Sequence, residues 1–497
     1  MARPPQPTEI ELKLDVAGQD VAALMDSPLW ANQVPRALTS IYFDTEDHRL
    51  RCAGLSLRLR AGVQTLKVKG SDPSGLFERP EWEHPVSGTR PDPSLLLDTP
   101  LAALAIDPDR LKPVLKIQVD RRTALVHAAQ GAKIEVALDL GQVEAGGRTS
   151  EFCELELELI EGPKRALFDL AQSMAAQTRL LASSQSKADR GFALLANEPV
   201  LPLKAESRLD LSDLSVGQAL SAMVREGLGH ILHNGALVSR DREIEALHQL
   251  RVALRRLRAA LGLFKSVVGD QAFVDMRNSL RGLSQTMGRA RDLDVLIARI
   301  EHAPRPSPRL LEALILDRGQ AYDEVCRVLG SHAYGQTLLT VMAWAEAGDW
   351  RQSPWSDASL RDQPVLTFSD RALERLRRKI KTEGKGLARL DAEAQHRVRI
   401  RAKNLRYGME LFGSLYPDQE GARHRLIEAV KQVQDRLGTM NDRAVAEALL
   451  RAHATGPAAF DAGQALANLY VGQNDAAVQA EQALRRALEL PRFWSRP

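Results

Sequence analysis

"EIELKLD", residues 9–15, decides how the first half of this chain is read. In a β-strand side chains alternate, so Glu9, Glu11 and Lys13 share one face while Ile10, Leu12 and Leu14 share the other. A sheet with one wet face gives that pattern. A closed barrel with a charged interior gives it too, and one strand does not separate the two. Further strands do. "LRLR" (57–60) sets Arg58 and Arg60 opposite Leu57 and Leu59, and "LKVK" (66–69) sets Lys67 and Lys69 opposite Leu66 and Val68. "ELELEL" (154–159) aligns Glu154, Glu156 and Glu158 against three leucines, and in "KIEVALD" (133–139) Glu135 and Asp139 share a face. A solvated face mixes signs within a strand, because cross-strand opposites attract. Here the signs are sorted by strand. Rows of like charge are unfavourable unless an opposite charge sits between them. Carboxylate rows suit hard cations such as Mg2+ or Mn2+, and cation rows suit phosphate oxygens. Together they predict a cavity for a complex of metal and polyanion.

The totals set the frame. With 497 residues, 44% hydrophobic and 26% charged, the chain is expected to form two or three globular domains. A net charge of +3 means that any basic function must come from local clustering. Cys52, Cys153 and Cys326 lie far apart without a CxxC pair, which fits reduced structural thiols and neither a disulfide framework nor a zinc site. The start has no secretory pattern and no run of roughly 18 apolar residues occurs, so a cytoplasmic protein away from membranes is expected. No GxxxxGK[ST] stretch exists to form a P-loop. Period two dominates from residue 9 to about 160, interrupted by helical stretches at 20–26, 94–105 and 164–178. Beyond "ANEPVLPLKAES" (196–207) the period becomes helical. The division is placed near residue 200, with domains at 1–200 and 208–497.

The helical half contains a duplication. "HQLRVALRRLRAALGLF" (248–264) aligns without a gap to "HRVRIRAKNLRYGMELF" (396–412), and "LSQTMGRARDLDVL" (283–296) to "VQDRLGTMNDRAVA" (433–446). In each repeat one stripe is apolar and predicts core: Leu250, Leu254, Leu257, Leu261 and Phe264, mirrored by Val398, Ala402, Leu405, Met409 and Phe412. A second stripe is His248, Arg251, Arg255 and Arg258, mirrored by His396, Arg399, Lys403 and Arg406. No acidic residue lies between 248 and 265 or between 396 and 409. Solvated helical faces usually alternate sign, so two uncompensated seams in equivalent places predict an anion-binding role. Single-strand nucleic-acid binders need exposed aromatic platforms, and the seams carry none. A charged polymer without bases fits better, with the histidines binding it best when protonated.

The residues of the first half also carry a resemblance. Glu9-x-Glu11-x-Lys13, "YFDT", "LSLRLR", "LKVKG", "ERPEWE", "IEVALDLGQV", "CELELELI" and "SKADRG", in that order, resemble the CYTH family of triphosphate tunnel metalloenzymes over roughly residues 8–195. The implied fold class is α+β: an eight-stranded antiparallel tunnel barrel with flanking helices, followed by an all-α domain. The resemblance implies metal binding by Glu9, Glu11, Asp139, Glu154 and Glu156, with Glu81 nearby. It implies phosphate binding by Arg58, Arg60, Lys67, Lys69, Arg121 and Lys187, and a role for Lys13, beside Glu11, in orienting or activating the attacking water. In "QVDRRTAL" Arg121 and Arg122 lie on opposite faces, and spacing favours Arg121. The HxxRVxxRRLRxxL stretch and its repeat resemble the CHAD domain, over roughly 208–497. That resemblance implies two pseudo-symmetric four-helix bundles with a basic groove for inorganic polyphosphate, association with polyphosphate granules, and Arg289, Arg291 and Lys431 as further groove residues. The reading that results is a Mg2+- or Mn2+-dependent inorganic triphosphatase with a polyphosphate-binding helical domain. Its rivals are a non-catalytic polyphosphate binder, or a tunnel enzyme acting on ATP or thiamine triphosphate.

Overall fold

Among the described residues nine strands form one antiparallel sheet: β1 (Thr8–Val16), β2 (Arg36–Asp44), β3 (Leu55–Arg60), β4 (Val63–Val68), β5 (Leu76–Pro85), β6 (Lys112–His127), β7 (Lys133–Ala145), β8 (Arg148–Glu161) and β9 (Leu180–Ala182). The order is β5-β4-β3-β2-β6-β7-β8-β1, and β5 pairs back onto β1, closing eight strands into a barrel. The short β9 adds to the far end of β1 through Leu14↔Ala182 and Val16↔Leu180. Tight turns follow from local sequence. Ala61 and Gly62 both take positive φ between β3 and β4, as do Gly146 and Gly147 between β7 and β8, which matches the right-handed twist of hairpin strands. These observations come from a computed structural model describing residues 8–31, 33–68, 74–205, 209–268, 271–304, 306–348, 350, 358–454, 458–468 and 476–494.

The barrel is apolar outside and charged inside. Leu12, Leu14, Leu57, Leu66, Leu155 and Leu157 are all buried without exposure, under short helical segments and two helices. One group joins Leu55, Leu57, Leu59 and Leu66 to Phe43, Leu50, Leu96 and Leu101. Another packs Ile117, Val119 and Val143 against Ala188 and Phe192 of helix Lys187–Ala196. Each such side chain contributes about 1.5–3 kcal/mol, which offsets the cost of a lumen full of charge. Helix Lys187–Ala196 starts in a capping box, with Ser186 and Asp189 satisfying each other's backbone donors.

The chain divides into two compact units, and it crosses between them more than once. The first unit holds residues 1–201 together with 331–347; the second holds 202–330 and 348–497. Helix His332–Ala347 is thus grouped with the barrel although it lies far beyond residue 200 in sequence. Its sixteen residues carry one histidine and one carboxylate, and so apolar a helix needs cover on most sides. It packs against helix Lys164–Ala175 and β9. At Gly335 a Cβ would stand 2.3 Å from the Leu180 carbonyl oxygen, so only glycine permits the approach.

In the second unit the duplication is visible in the elements. Helices Val216–Asp241, Ile244–Leu263, Gln271–Thr286 and Gly288–Glu301 find counterparts in Val365–Glu383, Ala392–Leu411 and Glu420–Ala452. The last is one helix of 33 residues where the first repeat has two, broken at Met287. The repeats clasp each other reciprocally: Val216 N donates to Gln363 O and Val365 N to Leu214 O, both at 3.0 Å. Phe264 and Phe412, both fully buried, meet Phe368 between the repeats, stacked at 4.9 Å and edge-on at 6.3 Å respectively. Among the described residues no helix is long and apolar enough to cross a membrane.

Candidate functional site

The register aims the sorted charges inward. Lys13 lies opposite Glu156 and Glu11 opposite Glu158; Asp139 lies opposite Glu154 on one side and Arg121 on the other. Lys67 faces Glu81 across β4 and β5. The result is a lumen of about 620 Å3 whose walls include Glu9, Glu11, Lys13, Arg58, Arg60, Lys67, Arg121, Asp139, Glu156 and Lys187. Glu154, wholly buried, reaches the same cluster by accepting from Lys187 at 2.7 Å. Glu81, Glu83, Glu135 and Glu158 also line it. Of the adjacent pair in β6, Arg121 is the inward one: it donates to Asp139 at 2.7 and 2.6 Å and to Glu156 at 2.5 Å. Lys69 lies outside the described residues.

Two cations in this network escaped sequence reasoning. Arg79, buried in β5, donates to Glu9 at 3.5 Å and Glu11 at 3.3 Å, with its guanidinium 4.9 Å from the centre of the Phe77 ring. Its parity with Glu81 and Glu83 was the available signal, obscured by the intervening Pro80. Arg190 sits one helical turn beyond Lys187 and donates to Asp15, standing 3.5 Å from Glu154. Both Lys187 and Arg190 lie over the ring of Phe152, at 5.8 and 5.7 Å. Gly141 makes room for that ring, because a Cβ there would be 2.5 Å from it.

Electrostatics assign different states to these groups. Burial disfavours a charged Lys13, yet Glu11, Glu156 and Glu154 outweigh it and hold its pKa well above the ordinary lysine value. Lys13 is thereby held as a cation among these carboxylates, donating to Glu11 and Glu156. Lys187 is likewise raised against burial by Glu154, Glu156 and Asp139. Glu156 is lowered despite burial by Lys13, Lys187 and Arg121, whereas Glu154 is raised by burial. Glu158 is pushed up to about 7 by burial and by Glu9, Glu11 and Glu135. Arg60 differs from all of these. Among the described residues it has no carboxylate partner, and burial, Arg58 and Arg121 lower its pKa. It is a half-buried guanidinium that forms no ion pair of its own among the described residues, although the more distant Glu156 partly offsets the shift.

The walls carry eight carboxylates against seven cations. A polyanion alone gains little from such a lumen, and a divalent cation entering with it reverses the balance. The donors present fit a hard divalent ion in kind, since all are carboxylate oxygens. Glu154 Oε2 is buried and makes no hydrogen bond among the described residues, its nearest charge being the Arg190 guanidinium at 3.5 Å. Among the described residues no three acidic, histidine or cysteine side chains already converge as a metal cage. Cations are interleaved between them instead.

In the second unit the two seams meet. Helix Ile244–Leu263 packs on helix Ala392–Leu411, and Lys403 is flanked by Arg399, Arg255 and Arg406. Burial and this cationic company push Lys403 down to about 7; burial with Arg255 pushes Arg251 down to about 10. Arg251 donates to Ser284 O at 3.1 Å. Arg258 stands apart, beside Arg281 and Arg277. His248 is half-buried and shifted down by burial and Arg291, so acid strengthens it less than expected, while His396 is exposed. The seams are also less bare than the helices alone implied. Asp442 approaches Arg399 to 3.8 Å and Glu410 approaches Arg406 to 3.3 Å. Arg289 is paired with Asp317 and Lys431 with Glu428.

Comparison with known proteins agrees with both halves of this description. Residues 7–192 match the CYTH domain and residues 222–451 the CHAD domain. Over 98% of its length the chain is 26% identical to an uncharacterized protein of Mycobacterium tuberculosis, covering 96% of that protein. It is 31% identical over 193 residues to the inorganic triphosphatase of Haemophilus influenzae, covering 37% of this chain and 54% of that one. The crystal structure of the CHAD domain from the plant Ricinus communis is similar with a TM-score of 0.51 and 28% identity, over 59% of this chain and 98% of that one. The chain thus combines a CYTH domain, which forms the charged tunnel, with a CHAD domain, which forms the duplicated helical bundle.

Proposed function

We propose that the tunnel hydrolyses inorganic triphosphate to diphosphate and phosphate with Mg2+ or Mn2+, and that the cationic seams hold inorganic polyphosphate. The observation that carries the first part is the charged lumen in which Arg60 stands outside the ion pairs that tie up its neighbours. Arg58, Arg60 and Lys67 offer their donors to phosphate oxygens, Arg60 without giving up any partner and Lys67 by leaving Glu9 and Glu81, which it holds at 2.9 Å. The carboxylates so released, with Glu154, are the ones left to hold the metal. When bound, such a cation supplies charge neutralisation, polarises a phosphoryl oxygen and lowers the pKa of water. Lys13 stays protonated and fixes the geometry of Glu11 and Glu156 around the reacting end. Water gives up one proton to solvent as its oxygen bonds to the terminal phosphorus, the bridging P–O bond breaks, and diphosphate leaves with the bonding electron pair. Phosphoryl transfer needs mainly such positioning and fixed charge. The activity named for the Haemophilus relative supports the choice of substrate. For the seams, the support is the cluster of Arg251, Arg255, Arg399 and Lys403, whose mutual repulsion a polyanion relieves. The test is turnover with Mg2+ or Mn2+ on inorganic triphosphate, ATP, thiamine triphosphate and long polyphosphate. Inorganic triphosphate should be hydrolysed fastest. Tight binding without turnover of any of them would leave the tunnel a mere anion holder.

A further inference from the structure

The second unit contains a cavity of about 750 Å3 that the duplicated seams do not account for. His248, Arg255 and Arg406 reach it from the seams, but its distinctive wall is Arg256, Tyr407 and Glu410. Arg256 Nη1 donates to Glu410 at 2.6 Å, and Glu410 also stands 3.3 Å from Arg406. The Arg406 guanidinium lies 4.8 Å from the centre of the Tyr407 ring. Arg256 is 93% buried, since its exposure is 7%, yet its Nη2 has no hydrogen-bond partner among the described residues; the same holds for Nε of Arg255 and Arg406. These three nitrogens are shut off from solvent and unpaired inside the protein, so the guanidiniums that line the cavity are incompletely satisfied by the chain itself.

The repeat shows that this wall is not part of the duplication. At the equivalent positions, 148 residues away, Arg256 becomes Asn404, Tyr407 becomes Ala259 and Glu410 becomes Gly262. His248, Arg255 and Arg406 keep His396, Lys403 and Arg258 as counterparts. A polymer lying along the groove uses what both repeats share. A wall whose residues occur in one repeat only suits one discrete ligand. Its chemistry is mixed: guanidiniums for an anion, an apolar side formed by Val252, Leu411 and Ile427, and a carboxylate in their midst. An inorganic phosphate chain gains nothing from the apolar side and is repelled by Glu410. We propose that this cavity binds an organic phosphate that also carries a hydrogen-bond donor, with the size and chemistry of a nucleoside phosphate. The phosphate lies against the guanidiniums of Arg255, Arg256 and Arg406, which line the cavity, and a hydroxyl or amino group donates to Glu410. The volume lies within the range of small-molecule sites.

The test uses the full chain in the absence of divalent cations, with ADP and inorganic diphosphate as probes titrated calorimetrically at fixed ionic strength. Wild type should bind ADP at least tenfold more tightly than diphosphate. Arg256→Asn with Glu410→Gly gives the pocket the residues of the other repeat and should abolish that preference. Glu410→Gln, nearly isosteric, should reduce the preference at least fivefold and covers the case in which the double variant fails to fold. Equal affinity of wild type for the two probes, or a preference that Glu410→Gln leaves unchanged, overturns the proposal.

Discussion

Replacing Arg60 by glutamine separates phosphate recognition from the stability of the tunnel. Arg60 has no carboxylate partner among the described residues, and burial together with Arg58 and Arg121 already disfavours its charge. Its loss orphans no acid and removes repulsion, so stability should hold or rise. A bound phosphate, by contrast, loses a guanidinium fork. Hydrogen bonds to charged groups contribute about 1.5–3 kcal/mol each, and the glutamine amide recovers part of two such bonds. A net loss of about 2–3 kcal/mol corresponds to roughly 30- to 150-fold in kcat/KM. Arg121→Gln is the informative contrast. Arg121 is bonded to Asp139, which has no exposure, and to Glu156. Removing one partner of a buried pair costs about 3–5 kcal/mol, so that variant should lose stability and activity together. The assays are initial rates of phosphate release from inorganic triphosphate with Mg2+, and urea unfolding of both variants. An Arg60→Gln protein within threefold of wild-type kcat/KM, or destabilised by more than about 1 kcal/mol, would refute the assignment of Arg60 as the phosphate donor outside the ion pairs.

Polyphosphate affinity of the full chain should fall roughly tenfold between pH 6 and 8, as Lys403 loses its proton near 7 while facing Arg399 and Arg406 on its own helix, Arg255 opposite and Asp442 from helix Glu420–Ala452; Lys403→Met should flatten that profile in competition titrations. The same group has a folded pKa below its unfolded value of 10.5. Its cost to the native state is therefore fully present below pH 7 and is relieved as pH rises towards 10.5, a slope in denaturation experiments that Lys403→Met should remove. Gly335→Ala in the full chain should destabilise the first unit by about 1–3 kcal/mol, because the added methyl meets the Leu180 carbonyl oxygen at 2.3 Å. Triphosphate turnover should fall with it, since β9 leads directly into Ser186 and Lys187; unaltered unfolding and turnover would contradict this.

What the sequence revealed followed the reach of its periods. Period two exposed the inward rows of β1, β3, β4 and β8 because each is a local, uninterrupted alternation with one sign of charge. Closure of β1 onto β5 is a non-local pairing, and with it went Arg79, whose carboxylate partners are 68 and 70 residues away. The seams were legible as helical stripes, whereas Glu410 and Asp442 lie outside the acid-free stretches and reach them through folding. The mismatches between the repeats at 256, 407 and 410 were equally visible, but similarity draws attention and difference acquires meaning only around a cavity.

The return of residues 331–347 to the barrel has a consequence for how the chain is made. A ribosome finishes the strands, the last ending at Ala182, about 150 residues before it reaches His332, the start of the helix that packs against β9. At about 5–20 residues per second this is roughly 8–30 s. Throughout that time the faces of helix Lys164–Ala175 and β9 that receive it lack their cover, while the first helical repeat is already emerging. Synthesis is thus interlocked: the tunnel reaches its final packing only after the first helical repeat has left the ribosome. A chain interrupted between residues 201 and 331 should be a preferred substrate for proteolytic quality control, even though it contains every strand of the barrel.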